Sequence, residues 1–349
     1  MTLLIILNVL YRFNFKRGHQ VQEPLPKVSI LIAVRNEEDN IPNLLSGLEQ
    51  LDYPGEKLEI IIGNDGSEDL TLQLLRGYSG VAIKVVDVNN RLRDLKGKMN
   101  VLAQLGMLAS GDCLLFTDGD MNLNKNWVRA MVASWQNGNA MVAGFTGIIG
   151  RQPFDHLQNV DLVFAQGMLK VLSDLGLSMA VMGNNMLVDK KKYDETGGYQ
   201  ALPFSIVEDV ALMREFVSRG HDIQHHYSPA TFLGTAGCSS WKHLMGQRKR
   251  WMGSVGQLPI WLVLVMFLKF SFLPCLLYIS LYFPAIFLLF VIKMGLSLFF
   301  FYQIAKSVEM KVRSICVLLY EVFEPIVYFS TLVYTLLPFG LIWKGRRYD

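Results

Sequence analysis

The chain has 349 residues, is 51% hydrophobic with a mean hydropathy of +0.29, and carries a formal charge of +3. That is too apolar for an ordinary soluble enzyme, and the charge is too small to argue for a nucleic-acid partner. The four cysteines, Cys113, Cys238, Cys275 and Cys316, lie far apart; they show no zinc-site spacing and fit a reduced, cytosolic setting.

Residues 1–20 begin with a short apolar run. A full helical crossing needs about 20 apolar residues, and Arg12 interrupts this one, so the segment reads as a short anchor or partial span. Its basic residues follow the apolar run instead of preceding it, which argues against a secretory signal. Residues 24–254 read as one globular α/β domain. Within it, 27–34 (KVSILIAV) is a continuous apolar run, as expected of a strand buried on both faces. Helical spacing follows over 36–51, with Ile41, Leu44, Leu45 and Leu48 in phase. Further strands are expected at 58–63, 81–88 and 112–116, and helices at 98–108 and 210–218. Strand alternating with helix predicts a mostly parallel, doubly wound sheet. In such sheets ligands sit at the carboxyl ends of the strands.

Several polar motifs fall at those positions. Asn64-Asp65-Gly66-Ser67 follows the second strand, where Asp65 could accept hydrogen bonds from a nucleobase or ribose; the same residues also make a good turn. Asp118-Gly119-Asp120 follows the fourth strand. Hard carboxylate oxygens suit Mg²⁺ or Mn²⁺, with a diphosphate completing the shell; the alternative is a polar loop. Lys98 opens a helix and could neutralise phosphate, or simply lie on a solvated surface. Glu208-Asp209 precedes a helical stretch, so a carboxylate there is either a general base or a helix N-terminal acid. Asn184 and Asn185 sit between apolar stretches and offer amides to an acceptor pocket, or form a turn. In Gln247-Arg248-Lys249-Arg250-Trp251, Arg250 could grip a diphosphate and Trp251 stack on a sugar; a basic, aromatic collar at a membrane surface is the alternative. The histidines His221, His225 and His226 read better as a polar strand edge than as a metal site.

The order of these motifs resembles the inverting glycosyltransferases of family 2, with a GT-A fold, over roughly residues 27–252. The resemblance rests on Asp65, the Asp118/Asp120 pair, Asp209, and Gln247, Arg250 and Trp251. Asp209 lies 38 positions before Gln247, close to that family's spacing. The stretch Val34-Arg35-Asn36-Glu37-Glu38 looks like the family's nucleotide-facing loop, with Glu37 in it. The motif here is Asp-Gly-Asp where such enzymes often carry Asp-Ala-Asp, a mild change. The resemblance implies a metal-dependent transferase of a UDP-sugar. Asp65, Glu37, Lys98, Asp118, Gln247 and Arg250 would bind the donor, and Asp120 and Asp118 the metal. Asp209, with Glu208 beside it, would be the base, and Trp251, Asn184 and Asn185 would meet the acceptor.

Residues 255–349 read as a membrane region, almost continuously apolar over 257–342, with about three helical segments at 257–280, 281–303 and 315–342. Lys269 and Lys293 interrupt the first two, and Glu321 and Glu324 sit in the third. With the catalytic domain in the cytosol, the basic loop 306–313 belongs on the same side. A third crossing would then leave Lys344, Arg346 and Arg347 outside. An in-plane first segment, or a hairpin at Pro325, would reconcile the two. This layout points to an integral inner-membrane protein that glycosylates a membrane-associated lipid, in the manner of enzymes resembling ceramide glucosyltransferase. A processive polysaccharide synthase would need more helices for a polymer channel. A catalytically dead membrane scaffold subunit would not need the acids it retains.

Overall fold

The structure is a computed structural model that describes residues 2–13, 20–253, 260–311, 313–338 and 340–348. Parts of two expected segments, residues 1 and 14–19 of the N-terminal anchor and 257–259 of the first span, lie outside the described residues, as does position 339 of the third. The chain forms two compact units: Lys16–Gly147 with Leu172–Ala236, and Met1–Phe15 with Ile148–Val171 and Gly237–Asp349. Helix α1 (Thr2–Phe13) opens the chain and belongs to the second of these.

The first unit starts with β1 (Val28–Val34), all seven residues buried, then α2 (Ile41–Glu49), which turns Ile41, Leu44, Leu45 and Leu48 inward. β2 (Leu58–Asn64), α3 (Thr71–Arg76), β3 (Ile83–Asp87), α4 (Gly97–Leu108) and β4 (Cys113–Asp118) continue the alternation. β1 pairs with β2 and β4, and β2 with β3, all in parallel. Strand side chains alternate between two cores. Leu31, Ile61, Leu114 and Phe116 pack on the α4 face, and Ile30, Ile32, Ile62 and Leu115 on the α2 face. Gly63 is required here: a Cβ on it would stand 2.3 Å from Cγ1 of Val101, so α4 sits directly on the sheet.

Past β4 the sheet changes direction. α5 (Trp127–Trp135), β5 (Met141–Ala143) and β6 (Phe145–Ile148) follow, then α6 (Pro153–Asp174). β7 (Asn185–Asp189) runs antiparallel to both β4 and β5. After α7 (Lys190–Glu195), α8 (Gly198–Ala201) and α9 (Glu208–Ser218), β8 (Ile223–His225) joins β5 in parallel. β9 (Phe232–Thr235) pairs with β6 in a separate ribbon. The main sheet has seven strands in the order β3-β2-β1-β4-β7-β5-β8. The four expected strands are present. The strand expected at 112–116 extends two residues further, to Asp118.

In the second unit, α10 (Trp241–Met252) is followed by α11 (Ile260–Ser280), α12 (Phe287–Ser307) and α13 (Ser314–Leu336). A small hairpin of β10 (Ile342–Trp343) and β11 (Arg346–Arg347) ends it. By length and composition, Pro284–Ser307 and Ser314–Leu336 are apolar enough to cross a membrane. Two sequence expectations are corrected here. Pro325 lies inside one continuous helix and makes no hairpin, and that helix stops at Leu336, before Pro338, instead of running to 342. α1 lies along α12: Nδ2 of Asn8 donates to the Leu296 carbonyl at 3.2 Å, and Gln303 donates to Oδ1 of Asn8 at 2.7 Å.

Candidate functional site

Strand register brings the acidic motifs to one rim. In β1, Val34 is level with Asn64 of β2, and Ala33 with Asp118 of β4. Asp65 and the Asp118-Gly119-Asp120 turn therefore leave the sheet side by side, at the carboxyl ends of parallel strands. The 35–38 loop closes over them. Arg35 donates through Nη1 to the Asp65 carbonyl at 2.7 Å and through Nη2 to Glu68 at 2.9 Å. Glu37 is buried, and its carboxylate accepts from Nδ2 of Asn40 at 2.6 Å. A Cβ on Gly119 would lie 3.0 Å from Cγ1 of Val34 and 3.3 Å from Cγ of Glu37, so the acidic turn presses against that loop.

Lys98, in the first turn of α4, is the hub of the charges. Its Nζ lies 2.5 Å from Oδ1 of Asp118 and 3.2 Å from Oε1 of Glu208. Burial alone would lower the lysine pKa, but the charges of Asp118 and Glu208 outweigh it and hold the ammonium protonated. Asp120 takes a different partner, accepting from Oγ1 of Thr235 on β9 at 3.0 Å. Sequence reasoning missed Thr235, since nothing near it in the chain marks it as a neighbour of Asp120.

Asp209 stands in the first turn of α9. Its Oδ2 accepts from the Gly183 N–H and its Oδ1 from the Val210 N–H, both at 2.8 Å. Burial raises its pKa from the ordinary aspartate value, and the adjacent Glu208 raises it further; Lys98 and the two N–H groups pull it back, leaving it at about 6. Such a carboxylate is still ionised at neutral pH yet is a stronger base than a surface aspartate. The Gly183 N–H is a second feature that sequence reasoning missed: Asn184 and Asn185 offer side-chain amides there, but it is the backbone of the residue before them that holds the Asp209 carboxylate. Tyr199 lines the same region, fully buried, with burial and then Glu208 keeping its hydroxyl protonated.

The two asparagines part company. Asn184 accepts from Oγ1 of Thr146 at 3.0 Å. Asn185 is fully buried and spent inside the fold: it accepts from Nε1 of Trp127 at 2.9 Å and donates to the carbonyls of Phe145 at 3.0 Å and Thr231 at 2.9 Å. An acceptor contact for Asn185 is therefore corrected to a structural tie. The histidines also resolve: Nδ1 of buried His225 bonds the Tyr227 hydroxyl at 2.9 Å. Among the described residues no group of three or more His, Cys, Asp or Glu is placed to cage a metal. A cavity of about 1140 Å³ lies at the opposite ends of the strands, by Lys57, Asp112 and Lys190, away from the Asp65–Asp118 rim.

Gln247, Arg250 and Trp251 belong to the other unit, on α10. Arg248, expected in a surface collar, is instead buried and paired with Asp161 of α6, and its guanidinium lies 4.5 Å over the Trp251 ring. Arg250 lies 5.0 Å over Trp343, and Lys249 donates to the Leu337 carbonyl at 3.0 Å.

A mostly parallel sheet with its acids gathered at the strand ends is the GT-A arrangement of nucleotide-diphospho-sugar transferases. The chain belongs to glycosyl transferase family 21, whose family model matches residues 1–349. The motif order alone resembles family 2; the whole-chain match is to family 21. The chain is 27% identical over 221 residues to 4,4'-diaponeurosporenoate glycosyltransferase of Staphylococcus aureus (strain USA300), covering 59% of this chain and 56% of that protein. It thus spans a little over half the length of the curated relatives it matches. Among solved structures it resembles the mannosyltransferase PcManGT from Pyrobaculum calidifontis, in complex with GDP-Man and Mn²⁺. That match has a TM-score of 0.56 at 14% identity and covers 95% of this chain and 94% of that one. It also matches S. aureus TarS in complex with UDP-GlcNAc, with a TM-score of 0.43 at 16% identity, over 64% of this chain and 66% of that one.

Proposed function

We propose that this chain transfers a sugar from a nucleotide-diphosphate sugar, with UDP-sugar as the expected donor, to a hydroxyl of a membrane-associated lipid, inverting the anomeric centre. The observation that carries this is Asp209: a buried carboxylate fixed by two N–H donors, with a pKa raised to about 6, beside the Lys98–Asp118 pair. Asp209 accepts the proton of the acceptor hydroxyl while that oxygen attacks the anomeric carbon. The bond from that carbon to the diphosphate breaks, and its electron pair leaves with the nucleoside diphosphate. Asp65, and Glu37 in its loop, face the nucleoside at the strand ends. Lys98 supplies positive charge next to the leaving group. Asn184 is an acceptor contact in the same unit; Gln247 and Arg250 of α10 are proposed, from the motif alone, as donor residues and Trp251 as an acceptor residue.

A divalent Mg²⁺ or Mn²⁺ ion fits the donor set at Asp118 and Asp120. Two hard carboxylates either side of Gly119 are too few for an all-protein cage and suit a cation shared with a diphosphate. When bound, it would neutralise the departing diphosphate. The Mn²⁺ and GDP-Man named for PcManGT support both this ion and a nucleotide-sugar donor. The helices of Pro284–Ser307 and Ser314–Leu336 would anchor the enzyme in a membrane, with its catalytic domain in the cytosol.

The test is nucleoside diphosphate release by protein in lipid nanodiscs with Mn²⁺, across UDP-sugars and GDP-mannose, wild type beside Asp209→Asn. The expected result is release that needs added lipid, is lost in Asp209→Asn, and yields a singly glycosylated lipid. A long polymer would point to a processive synthase. No turnover, together with no metal-dependent nucleotide binding, would overturn the enzymatic reading.

A further inference from the structure

Arg248, Lys249 and Arg250 stand in succession on α10, and the fold treats them differently. Arg248 is buried against Asp161. Lys249 donates to the Leu337 carbonyl at 3.0 Å and to the Tyr334 carbonyl at 3.4 Å, which ties it to the end of α13. Arg250 has neither kind of partner among the described residues, and its Nε is buried without a hydrogen bond. What it does have is an aromatic face: its guanidinium lies 5.0 Å from the centroid of the Trp343 ring. A cation in the last turn of a helix is favoured by the helix dipole. The dipole accounts for the charge of Arg250 but not for the ring against it.

The terminal hairpin delivers that ring. Lys344 and Gly345 have φ of 45° and 76°, the left-handed pair that a tight hairpin turn requires. The turn sets Trp343 opposite Arg346 and Ile342 opposite Arg347. The Tyr348 N–H closes the hairpin on the Leu341 carbonyl at 2.8 Å, and the Tyr348 ring lies 6.3 Å from that of Trp343. Lys249, by holding the end of α13, fixes where this segment starts. Lys344 lies 5.4 Å from the same indole, so a second cation shares the ring with Arg250. No acid occurs in α10, and Asp349 is the only one after α13. Positive charge is thus gathered here well in excess of the acids that could neutralise it.

We infer that Trp343 is a positioning residue for Arg250. The indole face holds the plane of the guanidinium, and the N–H edge of that plane is left to grip phosphate oxygens of the nucleotide-sugar. Ring and anion do not compete, because an arginine stacks through its face and donates through its edge. The C-terminal hairpin, far along the chain from the acidic motifs, thereby serves donor binding through Arg250. The inference rests on the reading of Arg250 as a donor contact and names the residue that orients it.

The test is a double-mutant cycle, read as UDP affinity by calorimetry with Mn²⁺ on full-length protein in phosphatidylcholine nanodiscs. Its members are wild type, Trp343→Leu, Arg250→Ala and the double variant. Trp343→Leu keeps apolar bulk and removes the aromatic face. It is expected to weaken UDP binding about 3- to 10-fold and to add nothing in the Arg250→Ala background. Trp343→Tyr, which keeps a face, should bind UDP within about twofold of wild type. A Trp343 that merely stabilised the fold would cost the same in both backgrounds. That result, or wild-type affinity in Trp343→Leu, would overturn the inference and leave Arg250 as a donor contact. Wild-type affinity in Arg250→Ala would instead overturn the donor reading beneath it. Loss of binding to phosphatidylglycerol vesicles in Trp343→Leu, with UDP affinity intact, would assign these cations to a lipid phosphate and would also overturn the inference.

Discussion

Replacing Asp209 by Asn is expected to cut turnover steeply and at the same time to remove a loss of stability that the wild type suffers as pH rises. Burial and Glu208 raise the Asp209 pKa from 3.8 to about 6. A native pKa above the unfolded value means the folded state prefers the protonated form. The stability this confers is fully present below the unfolded pKa, near 4, and is lost as pH rises through about 6. A shift of about two units corresponds to roughly 3 kcal/mol lost at pH 8. The N–H groups of Gly183 and Val210 already count in that figure, because they pull the pKa down. Asparagine is uncharged at every pH, so the variant escapes this loss of about 3 kcal/mol, but its Nδ2 cannot accept from the second N–H, which costs about 1–3 kcal/mol at every pH. At about 2–4 °C per kcal/mol for a domain of this size, the variant's melting temperature relative to wild type should stand a few degrees higher at pH 8 than at pH 5. Thermal unfolding in nanodiscs at pH 8 and pH 5 measures this: an offset that moves in the variant's favour as pH rises. Turnover should fall by roughly 10²- to 10⁴-fold, the usual contribution of a general base. A variant with the same offset from wild type at both pH values, or one that loses ground as pH rises, would refute the reasoning.

The same pKa predicts that wild-type kcat/KM falls about tenfold per pH unit below pH 6, as the base is protonated; a flat profile from pH 7 to 5 would remove Asp209 from that role. Gly183→Ala would place a Cβ 2.8 Å from Cβ of Asp209 and 3.0 Å from its Oδ2. A base shifted by about 1 Å should cost about 10²-fold in turnover while donor affinity, read by calorimetry, stays unchanged. Lys98→Ala leaves Asp118 and Glu208 facing each other without a counter-charge. It should destabilise the fold by about 3 kcal/mol at neutral pH and weaken nucleotide binding, both measurable by melting with and without UDP. Asn185→Ala removes three buried hydrogen bonds; it should lower the melting temperature sharply, and any enzyme that survives should keep its acceptor KM.

The parallel half of the sheet was legible because its signal is local. A run such as Val28–Val34 can only be a strand buried on both faces, and the acids marking the rim directly follow such runs. The antiparallel half was not read. β5 is three residues long, and β7 begins at Asn185, whose amide makes it look like a turn until Trp127, Phe145 and Thr231 arrive from elsewhere in the chain. The acids of the site could be named from their spacing, but their roles depended on distant partners. Lys98 was expected to face phosphate and is found bridging Asp118 and Glu208. A basic run such as 248–250 normally belongs on a surface; the buried Asp161 that draws Arg248 inward lies 87 residues away.

The antiparallel pairing of β7 on β4 also bears on how the chain is made. β4 ends at Asp118, and the strand that covers its open edge begins only at Asn185. Between them come α5, β5, β6 and the long α6, most of which belongs to the other unit. At ribosomal rates of about 5–20 residues per second, several seconds pass in which β4 presents bare N–H and C=O groups beside apolar Leu114, Leu115 and Phe116. An uncovered apolar strand edge is a template for pairing with other chains. Nascent protein caught in that interval would need a holdase, and slowing elongation over residues 119–184 should raise its aggregation without altering the finished fold.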